Sequence, residues 1–414
     1  MFWYKNLSHQ SGGQMWQGPK QVGQKWQDFK HIFAGSDQVI YAIKNDGTLL
    51  MYKHVGQENG NFSWDGAPKQ AGSGWESFKH VFGGTDGLIY AIEQDGTLFL
   101  YHNKKHAQFD AAWEAPKKVG NGWESFKHVF GGTDGLIYAI EQDGTLLLYY
   151  NKKHAQFDAA WEAPKKVGNG WEDFKHVFGG GSDGVVYAIR QDGTLCWYKN
   201  VQHANFGGRW EGPEQVGNGW AGFKHVFGGP NGIIYAVSTR CLNLHFKILT
   251  EPNFDRLEMV TAAREVFNRL LINIDIRSTE ILDLPNLEQL DVGPCNKGIL
   301  TNDIKTLFGN RRNVNPNEVV AYFVDSLLPS ASNLIGCAVH PFNQPGFVLT
   351  KEQDNRWTLA HELGHVLGLR HPEENINKVR ADLMEPKPAV INSSPYFEDK
   401  EKQTILSSNL IIQY

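Results

Sequence analysis

The chain has 414 residues, 41% of them hydrophobic and 21% charged, and a formal net charge of −5. That length holds two or three domains with cores of their own, and the charge balance excludes a polybasic nucleic-acid binder, because the paired lysines Lys104-Lys105 and Lys152-Lys153 fall inside repeats as a solvated surface does. No stretch approaches the roughly 18 apolar residues a membrane span needs, and Met1-Phe-Trp-Tyr-Lys lacks the basic-then-apolar layout of a signal peptide.

Residues 1 to about 240 are a tandem repeat. The block Trp-x-x-Phe-Lys-His recurs at Trp26, Trp75, Trp123, Trp171 and Trp220, at spacings of 49, 48, 48 and 49 residues. A second series, Trp16, Trp64, Trp113, Trp161 and Trp210, is followed each time by a nearby proline. Residues 75–122 and 123–170 differ only at Phe99 versus Leu147 and His102 versus Tyr150, as a recent duplication would. Within one copy Phe78, His80 and Phe82 alternate with Lys79 and Val81, and Gly87-Leu-Ile-Tyr-Ala-Ile92 follows. Asp95-Gly96 is a hairpin turn into Thr97-Leu-Phe-Leu-Tyr101, and Ala115-Pro-Lys-Lys-Val119 supplies a last strand. Four strands in about 48 residues is the size of a propeller blade, whereas the glycines interrupt every long helical window.

The ends set the number of blades. Met1-Phe-Trp-Tyr-Lys-Asn6 aligns with Leu195-Cys-Trp-Tyr-Lys-Asn200, the third strand of a blade, while the last copy stops after its second strand at Tyr235-Ala-Val237. The N-terminus therefore supplies two strands and residues 220–240 the other two, which predicts five blades in a ring without an open sheet edge.

The Trp-x-x-Phe-Lys…Gly-x-Ile-Tyr-Ala…Gly-Trp pattern resembles the tachylectin family, and the resemblance implies a five-bladed propeller lectin, outside the cell, that binds N-acetylated amino sugars. Asp-Gly-Thr-Leu in the third strand and the loop from His106 to Phe109 depart from that family's pattern, so its pocket residues are not carried over. A sugar site needs an aromatic face with convergent polar groups, which makes Trp64, Trp113, Trp161 and Trp210 candidates; tryptophans at a repeated position also serve simply to fill the space between blades.

After Arg240 glycine thins out and leucine, isoleucine and asparagine rise, so a second domain is expected over 242–414. Leu244-His-Phe-Lys-Ile-Leu249 has the pattern of a strand, Phe254 to Leu271 has helical spacing through Leu257, Val260, Ala263 and Phe267, and Asn273-Ile-Asp-Ile276 begins the next strand. Val319 to Val324, Ile335 to Val339 and Gly346 to Leu349 add three more. The four cysteines, Cys196, Cys241, Cys295 and Cys337, allow either pairing or buried free thiols, and Cys295 is a thiol candidate for a metal with a structural role preferred. Lone His245 and His340 point to surface or core positions rather than to a second metal site.

His361-Glu-Leu-Gly-His-Val-Leu-Gly-Leu-Arg-His371 reads H-E-x-x-H-x-x-G-x-x-H. On a helix His361 and His365 lie one turn apart on one face and can grip one zinc ion, with Glu362 beside them to take a proton from water. Gly368 lets the helix stop and the chain turn, bringing His371 in as third ligand and leaving a fourth position open for catalysis. Leu359, Leu363, Val366 and Leu367 form the apolar stripe, and Thr350 with Gln353, or Asp354, is the expected cap. Thirteen residues past His371 comes Ala-Asp-Leu-Met384-Glu-Pro, similar to the Met-turn beneath the metal of metzincins. His-Glu-Leu-Gly-His with Leu-Met-x-Pro resembles the matrixin-like metzincins, although the loop before the methionine is longer and no tyrosine stands two residues after it.

The resemblance implies an α+β zinc endopeptidase. Substrate would lie along the edge strand Ile335 to Val339, and Met384 to Tyr396 would wall its specificity pocket. The combined expectation is a zinc-dependent protease acting on proteins or peptides, targeted by a carbohydrate-binding propeller. Its rivals are a glycan-binding lectin with an inactive protease domain, and a protease whose propeller is a protein-docking scaffold.

Overall fold

Each Trp-x-x-Phe-Lys-His block leads into the innermost strand of a blade. The structure, a computed structural model, describes the chain apart from residues 182, 296–298, 330–333, 353–354, 372–382, 385–394, 396 and 414. It divides into two units, Met1–Ser238 and Thr239–Tyr414. Among the described residues no helix is long and apolar enough to cross a membrane.

The first unit is a five-bladed β-propeller, five antiparallel sheets of four strands. One blade runs His80–Gly83, Leu88–Ile92, Leu98–His102 and Lys117–Gly120, from the inside outward. Its second strand is buried along its whole length because both faces meet a neighbouring blade: Leu88, Tyr90 and Ile92 enter one inter-blade cluster, Ile89 and Ala91 the next. The Asp95-Gly96 hairpin forms as expected, with Gly96 at φ +79° and the Thr97 amide on the Asp95 carboxylate at 2.8 Å.

The closing blade is composite. Phe223–Gly228 and Ile233–Ser238 come from the end of the unit, Phe2–Asn6 and Trp16–Gln21 from its start. Trp3 pairs with Tyr235 on one side and Lys20 on the other, and the Met1 ammonium is buried, donating to the Gly23 carbonyl at 2.9 Å.

The innermost strands carry a feature that the alternating pattern does not mark. His31, His80, His128, His176 and His225 each donate Nε2–H to the backbone carbonyl of the next blade, at Phe78, Phe126, Phe174, Phe223 and Phe29, over 3.0–3.3 Å. The fifth bond returns to the first blade, so the series closes on itself.

The second unit is built on a six-stranded sheet. Ile272–Ile281, Arg240–Ile248, Val319–Val324 and Gly346–Thr350 are parallel in that order, and Gly336–Cys337 is an antiparallel edge. Ile412–Gln413 pairs with the start of Arg240–Ile248. Alternation divides the central strand between two cores: Val319, Ala321 and Phe323 pack with helices α1 (Arg256–Phe267) and α3 (Thr358–Val366), whereas Val320, Tyr322 and Val324 pack with α2 (Asn302–Phe308).

Three expectations shift. The helix expected from Phe254 starts at Arg256, capped by the Asp255 carboxylate on the Leu257 amide at 2.8 Å, and Leu257 is 69% exposed. The strand expected over Ile335 to Val339 is regular only at Gly336–Cys337. Cys295 and Cys337 form a disulfide joining that edge to the segment before α2, so Cys295 is not a metal thiol, while Cys196 and Cys241 are buried free thiols.

Candidate metal centre

Helix α3 begins beneath the sheet, and its cap differs from expectation. Thr350 closes the strand Gly346–Thr350 with its hydroxyl on the Glu352 carbonyl at 2.7 Å, and Gln353 and Asp354 lie outside the described residues. Asn355 turns the chain instead: its side-chain oxygen accepts from the Trp357 amide at 2.8 Å, and its carbonyl accepts the Thr358 hydroxyl at 2.9 Å. Leu359, Leu363, Val366 and Leu367 enter the core, which turns His361 and His365 to the other side. The helix ends at Val366, and Gly368 takes φ +100°, a left-handed conformation that costs any other residue strain. The Leu369 amide reaches back to the Gly364 carbonyl at 2.9 Å, and His371 follows.

These bends converge three imidazoles. His371 Nε2 lies 3.0 Å from His365 Nε2 and 3.2 Å from His361 Nε2, and all three ligand atoms lie within 4.8 Å of one another. His361 Nδ1 bonds the Leu383 carbonyl at 2.7 Å and His365 Nδ1 the Leu369 carbonyl at 3.1 Å. A carbonyl only accepts, so both Nδ1 atoms carry the proton and both Nε2 atoms present lone pairs. Three nitrogens so converged would suit a shared cation. Tetrahedral zinc with Zn–N of about 2.0–2.1 Å sets its nitrogens about 3.3 Å apart, close to the two separations found, so the donor set fits the metal. Among the described residues it is the one His/Cys/Asp/Glu group with such spacing.

Glu362 is buried, and burial pushes its carboxyl up to about 8; a cation held by the imidazoles would draw it back down. Its side chain lies against the edge strand, where a Cβ on Gly336 would stand 2.3 Å from Glu362 Oε1. Met384 is buried beneath the helix, and a Cβ on Gly364 would meet its sulfur at 2.6 Å. Sequence reasoning missed both glycines as supports of the site; the letter directly before His365 was the available signal for Gly364, and nothing local marked Gly336. Of the stretch Met384 to Tyr396, only Met384 and Pro395 are described, so the expected specificity wall lies outside the described residues.

The candidate sugar-binding tryptophans are half-buried. The indole N–H of Trp64, Trp113, Trp161 and Trp210 donates to the carbonyl of Val22, Ala71, Val119 and Val167 of the preceding repeat, at 2.6–2.7 Å. Each also packs near the buried tryptophan of the other series, for example Trp113 on Trp75 at 5.9 Å between centroids. The structure does not gather them into one pocket. His340 is half-buried against the Pro341 carbonyl, and His245 is buried between Ser278 and Glu318.

The Tachylectin family model matches residues 1–212. No curated protein matches the chain. Among solved structures, yeast RCC1 (Prp20) bound to Kap60 is 16% identical over 53% of this chain and 56% of that one, with a TM-score of 0.29. Prp20p from Saccharomyces cerevisiae is 15% identical over 53% and 58%, also at 0.29, so the chain spans little more than half of either. Archaemetzincin from Methanopyrus kandleri is 18% identical over 41% of this chain and 95% of that one, at 0.29.

Proposed function

The chain belongs to the tachylectin family through residues 1–212, and from that premise we propose a zinc-dependent endopeptidase carried by a carbohydrate-binding propeller. The convergence of three imidazole Nε2 atoms, two of them held as lone-pair donors by backbone carbonyls, carries the peptidase half of this reading.

His361, His365 and His371 would hold the ion, which when bound supplies Lewis acidity that polarises the scissile carbonyl and makes water more acidic. The chain's own part is proton handling and alignment. The Glu362 carboxylate accepts a proton from the attacking water and delivers it to the leaving amine nitrogen. Gly336 leaves room for that carboxylate against the edge strand, so a peptide adding to Gly336–Cys337 as one more strand places its backbone beside the base. Met384 supports the helix from below. The carbohydrate half rests on family membership, with N-acetylated amino sugars as ligands and the accessible faces of Trp64, Trp113, Trp161 and Trp210 as contacts.

One observation favours a second reading of the propeller. The indole N–H groups of those four tryptophans are engaged between repeats, as in a scaffold that docks protein rather than sugar. Metal content and casein cleavage of purified protein test the first half: about one zinc per chain and chelator-sensitive cleavage are expected, and protein that takes up no zinc overturns it. A glycan array decides between sugar and protein docking.

A further inference from the structure

The second unit holds another constellation whose geometry points to chemistry. Arg240–Ile248 and Ile272–Ile281 pair in parallel, but the register slips: Leu244 faces Ile276 and His245 faces Ser278, leaving Arg277 as an extra residue. Such a bulge re-aims the side chain after it. Here it sets the Ser278 hydroxyl 2.7 Å from His245 Nδ1, while His245 Nε2 lies 3.2 Å from Glu318 Oε2.

The hydrogen bonds assign the protons once His245 is neutral, as its burial favours by lowering it below its ordinary value. Glu318 Oε1 accepts from Asn243 Nδ2 at 2.8 Å, and Oε2 accepts from the Asn315 amide and side chain at 2.9 and 3.1 Å. Burial works against the charge, yet these donors hold the carboxyl below its usual range. An ionised carboxylate only accepts, so His245 carries its proton on Nε2. Nδ1 is then a lone pair, and Ser278 donates to it. His245 and Glu318 are buried, whereas Ser278 is exposed. Ser278 borders a cavity of about 440 Å³, shared with His245, Glu318, Arg277, Arg312 and Glu280, the last paired with Lys247; sites for small ligands run from about 300 to 1,000 Å³. Arg277 lines the cavity, and its Nη1 is buried with no hydrogen-bond partner among the described residues.

We propose that Ser278 and His245 are the nucleophile and base of a second hydrolytic site, oriented by Glu318 as a positioning residue and selective for esters of small anionic acids. Ser278 Oγ attacks the ester carbonyl and its proton passes to His245 Nδ1. The acyl C–O bond breaks, and the leaving alcohol takes that proton. Water, deprotonated by His245, then releases the acid and restores the serine. Arg277 and Arg312 supply positive charge for the anion and for the oxygen that becomes negative. The site shares no residue with the metal cluster, so either can fail alone.

The test is covalent labelling of the full chain by a fluorophosphonate, in which the Ser278 Oγ–P bond forms, P–F breaks and fluoride leaves. An adduct on Ser278 is expected, absent in Ser278→Ala and unaffected by a chelator that strips the metal cluster. In His245→Gln it should form at least about 100-fold more slowly, and Glu318→Gln should slow it most near neutral pH, recovering in alkali, a profile that loss of packing does not give. Buried His245 can fail to tolerate substitution, so the wild-type rate is also followed against pH: a base-assisted serine levels off, and a rate that climbs steadily with hydroxide overturns the proposal. So does wild-type protein with no adduct at Ser278. A nitrophenyl monoester of a dicarboxylic acid should be cleaved faster than a neutral ester, and the reverse preference overturns the anionic assignment.

Discussion

At the scale of single residues, the metal-centre reading turns on Glu362, because it is the group whose chemistry separates from its shape. Glu362→Gln keeps volume and leaves the three imidazoles untouched, so zinc content should be unchanged while turnover falls by roughly 10²–10⁴. Metal analysis beside peptide cleavage checks it, and wild-type turnover in that variant assigns the base elsewhere. Gly336→Ala attacks the same atom from outside. A new Cβ 2.3 Å from Glu362 Oε1 forces the carboxylate or the edge strand to move. Turnover should fall with zinc retained, and the loss should not add to that of Glu362→Gln, since both act through one carboxylate.

At the scale of elements, the innermost strands make the propeller sensitive to acid. Burial first, and then neighbouring Lys79, lowers His80 to about 4; burial, with a smaller push from Lys175 and Lys224, does the same for His176 and His225. His31 and His128 are lowered in the same direction, chiefly by burial. A histidine whose folded value lies below its ordinary value of about 6.5 favours the fold fully above that pH and loses this contribution as pH falls toward 4. The cost is at most about 3 kcal/mol per imidazole, before discounting for partial exposure. With Tm moving roughly 2–4 °C per kcal/mol in a unit of this size, the propeller should melt progressively lower across that window. Tryptophan fluorescence reports it, because 12 of the 13 tryptophans lie in residues 1–238 and only Trp357 lies beyond. His80→Gln keeps a donor for the Phe126 carbonyl but cannot titrate, so it should flatten the decline. The composite blade makes a separate expectation. Deleting residues 1–22 removes two of its four strands and strands the hydrogen-bonding edge of Ile233–Ser238. The truncated protein should aggregate or melt well below the full chain, and an unchanged melt would mean that the ring closes without them.

At the scale of the whole molecule, a propeller that binds glycans would raise the local concentration of glycosylated substrate around the peptidase. Several weak sites on one ring gain by avidity when a target displays several sugars. Such contacts are equal in ground and transition states, so KM for glycoproteins should fall while kcat stays nearly constant. The comparison is the full chain against a fragment starting at Thr239, since a cut at 242 would remove the first residues of the strand Arg240–Ile248. Both are assayed on one substrate before and after deglycosylation. An equal KM ratio in a folded, zinc-binding fragment ends the tethering idea, and failure of N-acetylglucosamine to erase the full-length advantage points to protein docking.

The sequence by itself determined what is written in spacing. A 48-residue repeat with a split final copy specifies five blades and which ends must meet, because each blade touches only its neighbours and the pattern is one-dimensional. Histidines at positions 361, 365 and 371 around Gly368 specify a local bend, and local geometry suffices to bring their rings together. Other features depend on residues far apart in the chain, and only the tertiary structure decided them. The tryptophan N–H groups meet carbonyls 42 or 43 positions earlier, Cys295 finds Cys337 across 42 residues, and Gly336 makes room for a carboxylate on another element. The same holds for His245, whose partners lie 33 and 73 residues away. Periodicity encodes which face of an element is apolar; it carries no record of which distant atom that face will meet.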